Sequence, residues 1–182
     1  MMQSPLILVD HKDNPCGVAS KEEAHSRPLL HRAFSILLFR PGGDLILQRR
    51  APGKYHSAGL WSNTCCSHPV TGVVLSSTVN QRLQQEMGLS AELEDIGTLH
   101  YELDLGNGLY EHEFNHVFCG VSDQLPLPDP AEVAAWKTLP MREVNDQIAA
   151  QPERFSAWFP LILEKLRQPL HNYLQRNGVV SV

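Results

Sequence analysis

The apolar positions along this chain fall into short blocks whose spacing changes from segment to segment. Leu6–Val9 reads as a short strand, and His31–Arg40 (HRAFSILLFR) as a longer one. Pro41-Gly42-Gly43-Asp44 is a turn signal, so Leu45–Arg50 is expected to return as the second arm of a hairpin. Ala51–Ala58 is polar, carries Pro and Gly, and reads as a loop. Between Leu75 and Met87 the period becomes helical, with Leu75, Val79, Leu83 and Met87 on one stripe and Gly88 suited to the C-terminal cap. Glu94–Leu103 and Tyr110–Val121 read as strands joined through a Gly-Asn-Gly turn at 106–108, and Val133–Thr138 as another. Met141–Ala150 and Phe155–Asn177 are expected to be largely helical, with breaks at Pro160 and Pro169. There is no regular βαβ alternation. The expected fold class is therefore α+β, a mixed sheet with helices packed on its faces.

Composition narrows the function. The 182 residues show no repeat, low-complexity tract or long linker and fit one domain, 1–182. A formal net charge of -5 lacks the basic excess of a nucleic-acid binder but leaves room for a local phosphate site. No apolar run is long enough to span a bilayer, so no membrane partner is expected. The start, MMQSPLILVD, has neither the basic segment nor the apolar core of a leader. Cys16, Cys65, Cys66 and Cys119 are accordingly expected to be reduced thiols, and the protein cytoplasmic.

Three groups of residues carry candidate chemistry. In Glu111-His112-Glu113, extended backbone would put both carboxylates on one face, where they repel unless a cation lies between them. A solvated edge strand explains the same pair without a metal. His25, His31 and His68 could join those carboxylates in a shell of N and O donors, or be unrelated members of a set of nine histidines. In Gly59–Pro69, GLWSNTCCSHP, an extended Cys65–His68 would place Cys66 and His68 on one side and Cys65 on the other. Cys66 is then a metal ligand, a free thiol beside a metal, or, like Cys65, a small buried apolar residue. Finally, Arg49, Arg50, Lys54 and Arg82 could converge on a phosphate or remain separate surface charges.

Taken together, HRAFSILLF, LQRRAPGK, WSNTCCSHP, QRLQQEMG, YEHEF and FSAW resemble the type I isopentenyl-diphosphate isomerases, built on a Nudix-like fold. The resemblance runs from about His25 to Trp158 and implies a Nudix-like mixed β-sheet sandwiched by helices. It makes His25, His31, His68, Glu111 and Glu113 ligands of one divalent metal (Mn2+, Mg2+ or Zn2+). It makes Cys66 and Glu113 the catalytic pair, with Tyr101 assisting Glu113. Arg50, Lys54, Arg82 and Lys21 become diphosphate contacts, Glu86 a carboxylate helping to hold Mg2+ on the diphosphate, and Trp158 an aromatic wall of the hydrocarbon pocket. The implied partner is a small allylic or homoallylic diphosphate, and the implied state a monomer or weak homodimer.

The sequence departs from the hydrolytic branch of that fold. Aligned on Gly88, the box G-x5-E-x7-R-E-U-x-E-E-x-G-U keeps only Glu86 among its acids, with Val73, Arg82 and Gln85 at the other acidic positions. Pyrophosphate hydrolysis, which needs that acid cluster, is disfavoured although the fold is shared. Loop 51–58 also departs from the family pattern. The implied reaction adds a proton to a terminal alkene carbon and removes another on the far side, through a tertiary carbocation. Glu113 with Tyr101 is expected to protonate and Cys66 to deprotonate. The rivals are a nucleoside-diphosphate hydrolase, a zinc module built on Cys65, Cys66 and His68, and a cysteine hydrolase pairing Cys66 with His68.

Overall fold

The computed structural model describes residues 5–179. The first four residues, which open the MMQSPLILVD stretch, and the last three lie outside the described residues.

The organising strand is β3, His31–Phe39. It is buried almost throughout, which explains its near-continuous apolar run. Alternate residues serve two cores. Leu37 and Phe39 join a cluster completed by the C-terminal helices, while Phe34, Ile36 and Leu38 join one completed by α2, Leu75–Met87. Among the described residues, nine strands form one mixed sheet. β1 (Leu6–Val9) pairs with β2 (Pro15–Ala19) and touches β3 at His31. β4 (Leu45–Arg50) makes the expected hairpin with β3 and pairs with the short β5 (Trp61–Ser62) and with β9 (Val133–Leu139). β6 (Cys65–Ser67) lies antiparallel to β3, opposite Phe34–Ile36. β8 (Leu109–Val121) lies parallel to β3 and antiparallel to β7 (Leu93–Gly106). β6 and β8 both pair with Phe34–Ile36, so they flank β3 on opposite edges.

Helices cover both faces. α2 packs Val79, Leu83 and Met87 on one side, and Gly88 ends it with φ 66°, the left-handed cap expected there. α3 (Met141–Ala150), α4 (Trp158–Lys165) and α5 (Arg167–Arg176) cover the other. The α+β expectation with helices on both faces holds.

Several boundaries differ from the expected ones. β3 ends at Phe39, because Arg40 already belongs to the turn and donates its backbone N–H to the Asp44 carbonyl. β7 and β9 run longer than expected. The expected 155–177 helix is two helices broken at Leu166, and neither proline is the break. Pro160 and Pro169 lie in the first turns of α4 and α5, where a missing N–H removes no intrahelical bond. β2, α1 (Lys21–Ser26) and a 3-10 turn at Pro152–Arg154 have no counterpart in the sequence reading.

Candidate active site

Strand register brings the polar residues together. β3 and β8 pair His31 with Glu113, and β7 and β8 pair Tyr101 with Glu113. α1 delivers His25 from its last turn, its start capped by Ser20, whose hydroxyl accepts from Glu23 N at 3.1 Å. β6 delivers Cys66, and His68 follows it. Cys65 is fully buried in the apolar cluster under α2, so the two cysteines do face opposite ways.

His25, His31, His68 and Glu111 each place a ligand atom within 4.8 Å of the others. Glu113 joins them, with Oε1 3.2 Å from His68 Nε2 and 3.8 Å from His31 Nε2. The backbone fixes two of the histidine tautomers. His25 Nδ1 lies 2.7 Å from the Lys21 carbonyl, and His31 Nδ1 lies 2.8 Å from that of Leu29. A carbonyl oxygen can only accept, so each Nδ1 carries the proton and each Nε2 turns into the cluster. His25 Nε2, His31 Nε2 and Glu111 Oε2 are buried there without a hydrogen-bond partner. Burial pushes His31 down to about 4, so its Nε2 offers a lone pair. Buried lone pairs facing buried carboxylates are costly unless a cation lies among them. The donor set therefore fits a divalent ion, and the same face of β8 cannot be the solvated edge that the sequence left open.

The two carboxylates are differentiated. Burial raises both, but the neighbouring His25 and His56 hold Glu111 well below the usual range. Glu113 is pushed well above it by burial and by the Glu111 charge. Tyr101 donates its hydroxyl to Glu113 Oε2, and Asn115 Nδ2 donates to the same oxygen at 3.0 Å and to the Tyr101 hydroxyl at 2.9 Å.

A cavity of about 630 Å³ opens beside this cluster. Its lining includes Cys66, Glu113, Trp158, Arg50, Lys54, Arg82, Lys21 and Glu86. His25, His31 and Tyr101 sit behind the wall. Arg50 is buried and spans three features: Nη1 is 3.5 Å from Cys66 Sγ, Nη2 donates to the His56 carbonyl at 3.1 Å, and the guanidinium lies 5.2 Å from the Trp158 ring. Burial pushes the Cys66 thiol up to about 11, and Arg50 is the main influence pulling it back. Further along the cavity, Lys54 and Arg82 both bond to Glu132, and Arg82 also bonds to the buried Glu86.

Much of the WSNT motif is scaffold. Asn63 Nδ2 donates to the Cys65 and Ile36 carbonyls, while its Oδ1 accepts from Trp158 Nε1 at 3.3 Å. Thr64 bridges β3 and β4 by accepting from Leu38 N and donating to the Ile46 carbonyl. Ser62 and Ser156 hydroxyls meet at 2.8 Å, tying this motif to FSAW.

The sequence reading missed His56, Asn115 and Glu132. Asn115 was accessible to it, being the third polar residue after Glu111 and Glu113 at a spacing of two. His56 and Glu132 lie in irregular segments without a period to point to them.

The family model for the NUDIX domain matches residues 29–159. Solved structures agree at the level of fold. A Deinococcus radiodurans protein (DR0079) superposes with a TM-score of 0.73 over 91% of this chain and 98% of its own, at 16% identity. The NUDIX domain of Shewanella oneidensis NrtR, solved with ADP ribose, gives 0.60 over 78% and 88%, at 17% identity. Sequence relatives narrow the class. The isopentenyl-diphosphate Delta-isomerase of Burkholderia multivorans is 45% identical over 96% of this chain and 100% of its own. That of Pectobacterium atrosepticum is 44% identical over 91% and 93%. The chain belongs to the isopentenyl-diphosphate Delta-isomerase family within the Nudix fold.

Proposed function

We propose that Cys66 and Glu113 are the acid–base pair with which the chain, acting as one domain, carries out its isomerisation of isopentenyl diphosphate to dimethylallyl diphosphate, the activity that its family membership shows. The observation that carries the reading is the convergence of a thiol and a carboxyl from strands on opposite edges of β3 on one cavity. A shift of a double bond needs that pairing, one group giving a proton and the other taking one.

Glu113 gives the proton to the terminal alkene carbon. Burial and the Glu111 charge raise its proton affinity, and Tyr101 and Asn115 fix its Oε2. Cys66 takes the proton on the far side, and Arg50 at 3.5 Å favours the thiolate. The roles exchange in the reverse reaction. Trp158 presents its ring to the tertiary cation, an interaction worth about 0.5–2 kcal/mol. Leu6, Phe34 and Val70 on the lining help to exclude the water that would trap the cation. Arg50, Lys54, Arg82 and Lys21 grip the diphosphate, displacing Glu132 from Lys54 and Arg82. Binding energy from that remote group positions the alkene.

A divalent ion held by His25, His31, His68, Glu111 and Glu113 would order Glu113 and lower its proton affinity, and Mg2+ at Glu86 would neutralise diphosphate charge. The mixed N and O donors suit Mn2+, Mg2+ or Zn2+ in the histidine site. Every group in this scheme comes from one chain, so a monomer or weak homodimer suffices. The four free thiols fit a cytoplasmic protein, and no helix among the described residues is long and apolar enough to cross a membrane.

The test is incubation with isopentenyl diphosphate and Mg2+, followed by proton NMR and a phosphate assay. Dimethylallyl diphosphate without free phosphate is expected, and Cys66→Ala should abolish it while keeping metal content and melting temperature. Phosphate release in place of the allylic product would overturn the reading, and a fully active Cys66→Ala would remove Cys66 from it.

A further inference from the structure

Loop 51–58 carries a histidine that neither the motifs nor the mechanism above uses. His56 is buried at 9% exposure, unusual for a histidine in an irregular polar loop. Its Nε2 lies 2.8 Å from Glu111 Oε1, the shortest of the histidine–carboxylate contacts in the site. Its ring stacks on His25 with centroids 5.2 Å apart and planes 27° apart, and meets the Trp158 ring edge-on at 5.7 Å.

The loop holds this position firmly. Arg50 donates to the His56 carbonyl, the Gly59 amide bonds back to the Arg50 carbonyl, and the Arg50 amide bonds to the Leu60 carbonyl. Ser57 takes a left-handed conformation, φ 51°, to turn the chain immediately after His56. Such backbone cost is offset where the surroundings fix the neighbouring side chain.

His56 is not one of the four residues whose ligand atoms lie within 4.8 Å of one another. Its polar contact with that set is through Glu111. Glu111 Oε1 lies 2.8 Å from His56 Nε2 and 3.3 Å from His25 Nε2, while Oε2 is buried with no partner. A hydrogen bond to one oxygen fixes the orientation of the whole carboxylate, as outer partners do for metal ligands.

We propose that His56 is a positioning residue, donating from Nε2 to Glu111 Oε1 so that the Glu111 carboxylate is held facing a divalent ion in the His25–His31–His68–Glu113 cluster. The inference rests on reading that cluster as a metal centre. It gives loop 51–58 two tasks, since Lys54 lies within the loop and Arg50 just before it, both assigned to the diphosphate side. It also assigns the aromatic contacts of His56 a secondary part, because they pack the ring without orienting a carboxylate.

Mn2+ titration of metal-stripped full-length protein, with free Mn2+ read by its EPR signal, separates the possibilities. The series is wild type, His56→Ala, His56→Gln and His56→Phe, each with a thermal melt of the stripped form. Gln keeps a donor in reach of Glu111, whereas Phe keeps the ring packing and loses the donor. The expected result is saturable Mn2+ binding by wild type, a loss of about 10–100-fold in affinity for Ala and Phe, and recovery to within a few-fold for Gln. Wild-type affinity in His56→Phe, with weak binding in His56→Gln, would overturn the donor role in favour of packing. Unchanged affinity in all three variants would overturn the inference and leave the metal centre standing. Wild type without saturable binding would overturn the metal centre and the inference together.

Discussion

The two halves of the cavity are built on opposite principles. On the histidine side, buried atoms are left unsatisfied: His25 Nε2, His31 Nε2 and Glu111 Oε2 have no partner, and backbone carbonyls lock the first two in place. On the basic side, the charges satisfy one another. Lys54 and Arg82 share Glu132, and Arg82 also holds Glu86. In the proposed mechanism the first half holds a guest that stays, and the second one that comes and goes, a leaving diphosphate handing its cations back to carboxylates. An ordering ion suits the first half, and a substrate anchor suits the second.

The comparison breaks most sharply at Glu113, which belongs to the histidine side and faces the reaction. Glu113→Gln should cost about 10²–10⁴-fold in turnover and weaken Mn2+ retention, while inorganic diphosphate binding stays within twofold of wild type. Parallel kinetics, metal analysis and diphosphate calorimetry check it; equal loss on both sides would mean that the halves are not separable. Arg82→Ala should do the reverse. It should raise KM by roughly 10–100-fold, the worth of a lost charge-assisted hydrogen bond, with Mn2+ affinity unchanged.

Glu132→Gln sharpens the account of the basic side. If Glu132 stands in for the substrate, removing its charge should tighten metal-free binding of inorganic diphosphate by about 3–10-fold. Weaker binding in calorimetry would instead make Glu132 part of the grip. The smallest effect concerns Cys66. With its thiol pushed up to about 11 by burial, the thiolate fraction below that pH grows tenfold per unit. Alkylation by iodoacetamide, resolved by peptide mass spectrometry, should be slow at pH 7 and rise steadily toward pH 9, well behind the exposed Cys16. Rapid alkylation of Cys66 at pH 7 would show that Arg50 outweighs burial.

The same contrast governs what the chain discloses before it folds. Strands β3 and β8 announce themselves because apolar spacing and the Glu-x-Glu pair have a period, and the register between them then fixes His31 against Glu113. Gly88 is legible because only a left-handed cap uses it that way. Helix α1 has six residues, too few for a helical stripe, although it supplies His25. The prolines mislead because a break and a first turn leave the same mark in sequence. His56 and Glu132 stay hidden because their roles are pairings with residues 55 and 50 positions away in the chain, Glu111 for one and Arg82 for the other. The resemblance to isomerases picked out by motif residues that the fold gathers around one cavity, and what it could not supply was which hydrogen bonds orient them.

The most direct test of the acid–base account is the fate of solvent hydrogen. Isopentenyl diphosphate should be turned over in D2O with Mg2+ and followed by proton NMR. Two protein groups that exchange with solvent predict deuterium in the newly formed methyl group of dimethylallyl diphosphate from the first turnovers. Product formed with no deuterium in that methyl group would mean that hydrogen moves within the substrate, and would contradict the roles given to Glu113 and Cys66.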